Sequence, residues 1–219
     1  MHPRSLFSLA EHLERLSKDG DPLEVLAGTV EFERFRPLLT RGFGYLAMGG
    51  QIVDATLVPA PKQRNTEDEK AAIKAGKSAR QIWRGKPNKA HQKDVDARWT
   101  VKTGGKIRYR PDGTPLPQIA TPVFGYKSHI SIDRRYGFIR KAAVTSATQS
   151  DGRQLRRVID TSNTAGDVWA ESACRSQKNR YGLFIRTIGI ARAQAKLTLA
   201  NLAYNFDRLI FHERCATTG

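Results

Sequence analysis

Leu6, Leu9, Leu13 and Leu16 recur at helical spacing over residues 5–16, with Glu11, Glu14 and Arg15 on the other side. That pattern predicts an amphipathic helix. Ser17-Lys18-Asp19-Gly20-Asp21-Pro22 reads as a turn, and Pro22 suits the first turn of a second helix running to about Val30. Phe32, Phe35, Leu38 and Leu39 continue the helical spacing. Residues 1–41 are therefore expected to form a short N-terminal helical segment. Its apolar faces call for a partner, either the rest of the chain or a second copy.

The pattern then changes. Gln51-Ile52-Val53-Asp54-Ala55-Thr56-Leu57-Val58 is a short apolar, β-branched run opened by Gly49-Gly50 and closed by Pro59 and Pro61. Such a run bounded by turn residues predicts a buried strand. Thr66-Glu67-Asp68-Glu69 before Lys70-Ala71-Ala72-Ile73-Lys74 predicts a short capped helix with acids in its first turn. The remainder of residues 61–112 reads as irregular. Val123 to Ile132 and Phe138 to Thr145 flank the turn Asp133-Arg134-Arg135-Tyr136-Gly137 and predict a β-hairpin. Asp151 is expected to cap a helix carrying Leu155, Val158 and Ile159. After the turn Asn163-Thr164-Ala165-Gly166, the stretch Asp167-Val168-Trp169-Ala170-Glu171 predicts a strand that ends in a carboxylate. Ala191 to Phe211 predicts a long helix with a stripe of Ala195, Leu199, Leu202, Ala203, Phe206 and Leu209. Strand, hairpin, helix, strand is an α/β order, with the last strand expected beside the first.

Charge decides where a partner would bind. The chain of 219 residues carries a formal net charge of +16, which points to a polyanion, nucleic acid first. Residues 1–40 contribute 5 basic and 7 acidic side chains, so they are not the source. Residues 61–112 hold 15 Lys/Arg against 6 Asp/Glu, with Trp83, Trp99 and Tyr109 interleaved. A basic arm that follows a phosphate backbone, with aromatics to stack on bases, is the expectation. Residues 175–214 are basic again, with 8 Lys/Arg against 2 acids. No apolar run approaches the roughly 18 residues of a spanning helix, and residues 1–7 lack a secretory signal, so no membrane partner and a cytoplasmic location are expected. Cys174 and Cys215 form no metal-ligand spacing and no disulfide framework.

Asp54 is the candidate for chemistry. A carboxylate inside a buried strand costs several kcal/mol unless it is paired or binds a metal. If the last strand lies beside the first, Asp54 and Glu171 project into one site. His129, in the hairpin, reads as a satisfied structural histidine.

Several of these stretches together resemble bacterial insertion-sequence transposases of the DDE type, with the insertion sequence 5 family the nearest group. Gln51 to Val58 followed by Pro61-Lys62-Gln63-Arg64-Asn65-Thr66 is similar to the first catalytic strand. Lys93 to Thr100 and Phe124 to His129 are similar to the family's middle. Asp167 to Ser176 is similar to the second catalytic strand, and Gly182 to Gly189 with Leu199 to Phe206 is similar to the closing helix. The resemblance implies an RNase H-like mixed sheet with flanking helices over residues 42–214, interrupted by a basic insertion at about 61–121. It implies three acids holding two divalent cations, Mg2+ or Mn2+, that cleave a phosphodiester and join the freed 3′ hydroxyl to target DNA. Asp54 matches the first acid and Glu171 the second, as catalytic and metal-binding residues. Lys62, Arg64, Lys93, Arg98, Lys102, Arg134, Arg135, Lys178, Arg180 and Arg186 are the basic residues expected at DNA: the terminal repeats of the element and the target. A nucleoid-associated protein that forms homo-oligomers is what this implies.

The departures from the family are as informative. Its second acid is an Asp where this chain has Glu171, and a carboxylate misplaced by about 1 Å can cost roughly 100-fold in rate. Arg175-Ser176 runs almost directly into Gln177-Lys178-Asn179-Arg180, where relatives have a further strand, a basic segment and the start of the helix carrying the third acid. No acidic residue occurs between Glu171 and Asp207. The expectation is an incomplete RNase H-like fold: an internally deleted transposase that keeps DNA affinity without transposing. Activity would need another third acid, such as Glu213 or Asp151. The competing readings are a non-catalytic DNA-binding regulator of transposition and a general basic nucleic-acid-binding protein.

Overall fold

The β-branched run after Gly50 forms a nine-residue strand, β1 (Gln51–Pro59), and the sheet assembles on both of its edges. The computed structural model describes residues 49–103, 109–117, 120–161, 166–170 and 182–217. The helices expected over residues 5–39, the bend at 41–45, the turn at 163–165 and Cys174 lie outside the described residues.

The predicted hairpin forms, with β3 (Ala120–Asp133) and β4 (Ile139–Ser146) antiparallel. Its turn is set by Asp133, whose carboxylate accepts the backbone N–H groups of Arg135, Tyr136 and Gly137 at 3.1, 2.6 and 3.1 Å. A side chain that satisfies three turn donors does the work a backbone carbonyl would otherwise do. β1 runs antiparallel to β3, from Gln51 opposite Asp133 to Pro59 opposite Gly125. The expected return strand, β5 (Val168–Ala170), lies parallel to β1, with Gln51 opposite Val168. A further strand, β2 (Arg98–Thr103), pairs with the first part of β3. Among the described residues the result is a five-stranded mixed sheet in an α/β fold.

Alternation along β1 sends its side chains to two covered faces. Val53 packs with Ala143 and Val158 beneath a helix over Asp151–Val158. Val58 packs with Tyr126, Ile185 and Leu197 beneath a helix over Ile190–Thr217. At about 1.5 Å per residue, the 28-residue helix spans roughly 42 Å.

Three expectations need correction. The basic stretch is not irregular beyond its first helix. In chain order it forms α1 (Glu67–Lys74), α2 (Ala79–Ile82) and α3 (Pro87–Gln92), followed by β2; the two sheet-covering helices are α4 (Asp151–Val158) and α5 (Ile190–Thr217). The anchor is Trp83, only 4% exposed, whose indole N–H donates to Glu69 at 2.7 Å. One large side chain fixed by a carboxylate supplies the small core that the charge count seemed to deny. Asp151 is the first residue of α4, and Ser150 is its N-cap. The α5 stripe is also rotated: Ala203 and Phe206 are exposed, while Asn201 and Asn205 are buried with Ala193, Leu197 and Leu209. Hydropathy places Asn outside; here Asn205 binds a strand edge.

Candidate active site and nucleic-acid interface

Asp54 sits mid-strand, opposite Ile130 of β3. Its parity is that of Val58, so it belongs to the face covered by α5. The side chain is half-buried, and one oxygen accepts the N–H of Ala55 at 2.7 Å. β5 ends at Ala170; Glu171, Lys178 and Arg180 lie outside the described residues. Two hard cations need several oxygen ligands. Among the described residues, no group of three His, Cys, Asp or Glu side chains comes together to hold one.

Asp151 cannot join Asp54. Its carboxylate lies 2.9 Å from Lys127 Nζ and 3.8 Å from His129 Nδ1. Lys127 and His129 have the parity of the face under α4, so Asp151 stands on the opposite side of the sheet from Asp54. Glu213 is exposed in the last turns of α5.

His129 is buried, with Nε2 2.9 Å from the Thr145 hydroxyl. Burial pushes the imidazole down to about 4, against the pull of Asp151. At neutral pH the ring is uncharged, and its contact with Asp151 is not an ion pair. This is a satisfied structural histidine.

A buried carboxylate that sequence reasoning passed over is Asp94. One oxygen accepts the N–H groups of Asp96 and Ala97, both at 2.9 Å. The other accepts the Tyr126 hydroxyl at 2.6 Å and the Gly189 N–H at 3.2 Å. Asp96 in turn accepts the Ile190 N–H at the start of α5, at 2.9 Å. Four donors leave Asp94 little capacity for a ligand: it ties the end of the basic segment to β3 and to the long helix. The Asp-x-Asp spacing just before β2 was the available signal.

The basic residues divide into two kinds. Lys93 donates to the Arg64 carbonyl at 2.6 Å and to the Asn65 side chain at 3.0 Å. Arg98 donates to the carbonyls of Val95 and Ala97 and, at 3.5 Å, to that of Ile73. These two cations brace the chain's own backbone. Lys62, Arg64, Lys102, Arg134, Arg135 and Arg186 are exposed. They do not form one patch. Lys62 and Arg64 follow the end of β1 that lies beside Gly125, whereas Arg134 and Arg135 follow the opposite end of β3. The nine residues of β1 separate these ends by roughly 27 Å. Arg134 stacks on Trp169, 4.3 Å from the ring centroid, and Arg135 lies 5.1 Å from the Tyr136 ring. Of the interleaved aromatics, Trp99 and Tyr109 are 46% and 63% exposed, while the buried Trp83 is not available for stacking along a strand.

The chain matches no family model, no curated protein and no solved structure. Among the described residues, no helix is long and apolar enough to cross a membrane.

Proposed function

We propose that this chain is a DNA-binding protein derived from a DDE-type transposase: an internally deleted copy that holds DNA through its basic surfaces and does not cut or join it. The observation that carries the reading is the position of Asp54, a carboxylate at the centre of the sheet on the face under the long helix, in a chain of net charge +16. Strand, hairpin, helix and a parallel return strand next to β1 agree with the RNase H-like sheet the resemblance calls for. Loss of chemistry follows from the acids. Glu171 stands where the resembled family has Asp, no acid lies between Glu171 and Asp207, and Asp151 is on the wrong face. The exposed cations supply a salt-sensitive, largely sequence-independent affinity.

The test pairs two assays on the full chain. Duplex DNA binding followed by fluorescence anisotropy is expected, with affinity falling steeply as salt rises. Nicking of supercoiled plasmid in Mg2+ or Mn2+ is not expected. Nicking that disappears in Asp54→Ala would show a working site and overturn the inactive assignment. Absence of duplex binding at low salt would overturn the DNA-binding one. Preference for terminal repeats over random duplex would identify a regulator of transposition.

A further inference from the structure

Residues 70–93 contain eight Lys/Arg and no Asp or Glu. Helices α2 and α3 fold this stretch back on itself, and between them and the first turn of α5 lies a cleft of about 630 Å3. Its walls include Arg80, Arg84, Arg192, His91 and the buried Trp83. Among the described residues, no carboxylate lines it. Of the acids near in sequence, Glu69 binds Trp83 and Lys89, Glu67 binds Lys70, and Asp94 is taken up by Tyr126 and backbone N–H groups. Asp96, beside the start of α5, accepts the Ile190 N–H. The exposed guanidinium groups of Arg80 and Arg84 on one concavity, with no carboxylate among its described lining residues, form an anion site. Guanidinium forks match the oxygens of phosphate in a bidentate way. The volume lies within the roughly 300–1,000 Å3 of ordinary ligand pockets and exceeds the needs of a lone phosphate group.

We propose that this cleft is a nucleic-acid subsite: Arg80 and Arg84 hold the phosphodiester backbone of a bound DNA strand, with Arg192 on the facing wall and Trp83 forming the apolar floor. None of these three arginines was among the residues expected at DNA from the sequence. The assignment rests on the DNA-binding reading above and names where part of that affinity resides. Arg80, on α2, and Arg84, in the turn that follows it, are exposed, so replacing them is expected to leave the fold intact. Their neighbour Trp83, by contrast, anchors the segment and is not a usable probe.

The experiment uses the full chain and a fluorescein-labelled duplex between about 50 and 200 mM salt. Wild type is compared with Arg80→Gln/Arg84→Gln and with a charge-matched control, Arg153→Gln/Arg156→Gln, on the exposed side of α4. Each phosphate contact contributes about 0.9 to the slope of log affinity against log salt, so the cleft variant should lose about 1.8 and the control close to nothing. Equal slopes in the cleft variant and wild type would overturn the subsite and leave DNA binding standing. Equal losses in both variants would also overturn it, since net charge would then suffice. A wild type that fails to bind duplex would overturn both readings. Calorimetry with tripolyphosphate separates the sources of phosphate: binding that needs Arg80 and Arg84, with an unchanged DNA slope in the variant, would assign the cleft to a small polyphosphate instead.

Discussion

Asn205 of α5 clasps both backbone groups of Ile139: its Oδ1 accepts the Ile139 N–H at 2.8 Å, and its Nδ2 donates to the Ile139 carbonyl at 3.0 Å. Ile139 opens β4, which among the described residues pairs with β3 along one edge only. The primary amide completes the other edge at that residue as a neighbouring strand would. Both partners are buried. Asn205→Ala therefore leaves two backbone groups without partners, at about 1–3 kcal/mol each. We expect a loss of about 3 kcal/mol, read as a lower urea midpoint with little change in slope. Asn205→Asp keeps the acceptor, loses the donor and should also destabilise.

This clasp shows where sequence reading stops. The strands were legible because β1, the hairpin and β5 are short apolar runs between turn residues, and the capped helix was legible because Thr66 and Glu69 form a complete capping box. The buried face of α5 was not. Hydropathy assigns Asn201 and Asn205 to solvent and Phe206 to the core, but a strand edge needs hydrogen bonds more than it needs apolar area. The same reason hid the order in residues 79–92, where the decisive contact joins Trp83 to Glu69 across 14 positions. Asp54 was visible as an oddity in a strand. That Asp151 faces away from it is a matter of pleat and pairing, which exist only once β1 and β3 are in register.

Tyr126 and Asp94 offer a second test. The hydroxyl is fully buried, and burial together with the Asp94 carboxylate pushes its ionisation far above the usual tyrosine range. It stays protonated and donates at 2.6 Å. Tyr126→Phe removes one of two donors to that oxygen, the other being Gly189. A hydrogen bond to a charged group is worth about 1.5–3 kcal/mol, and a loss of that size in chemical denaturation is expected. Because Asp94 also ties the start of α5, amide exchange at Gly189 and Ile190 should quicken more than exchange in β4.

Gly125 lies where β1 and β3 meet at Pro59, with φ +155°. A Cβ there would stand 2.2 Å from the Val58 carbonyl oxygen and 2.9 Å from the Ala60 nitrogen. Both are backbone atoms in the core of the sheet, so relief requires the strands to part. Gly125→Ala is expected to cost several times the roughly 1 kcal/mol typical of a point substitution. A thermal midpoint unchanged within a degree or so would contradict this contact.

The buried imidazole of His129 makes stability depend on pH. Its folded pKa is held down at about 4 against an ordinary 6.5, by burial first. The unfolded chain therefore binds the extra proton first as pH falls. The His129 contribution is fully present above about pH 6.5, declines through the interval down to about 4, and is level below that. Thermal midpoints across this window should fall for wild type and flatten in His129→Gln.

Glu69 governs a lower window and a different part of the molecule. Its carboxylate is held at about 2, chiefly by the Lys89 ammonium at 2.5 Å and then by the Trp83 indole, with the Thr66 N–H of the capping box adding to them. A depressed carboxylate stabilises the fold above its unfolded value of 4.5, and that contribution is lost as pH falls toward 2. The groups released are those that hold α1, α2 and α3 together. Acidification should therefore loosen residues 66–92 before the sheet, with amide exchange rising in α1 while β3 stays protected. Glu69→Gln places the same loosening at neutral pH, because a neutral amide cannot match the charge-assisted bond to Lys89. If the Arg80 and Arg84 cleft depends on this packing, the variant also loses DNA affinity at neutral pH, although the substitution removes a negative charge. That sign separates the two explanations: simple electrostatics predicts tighter binding, and a collapsed cleft predicts weaker binding.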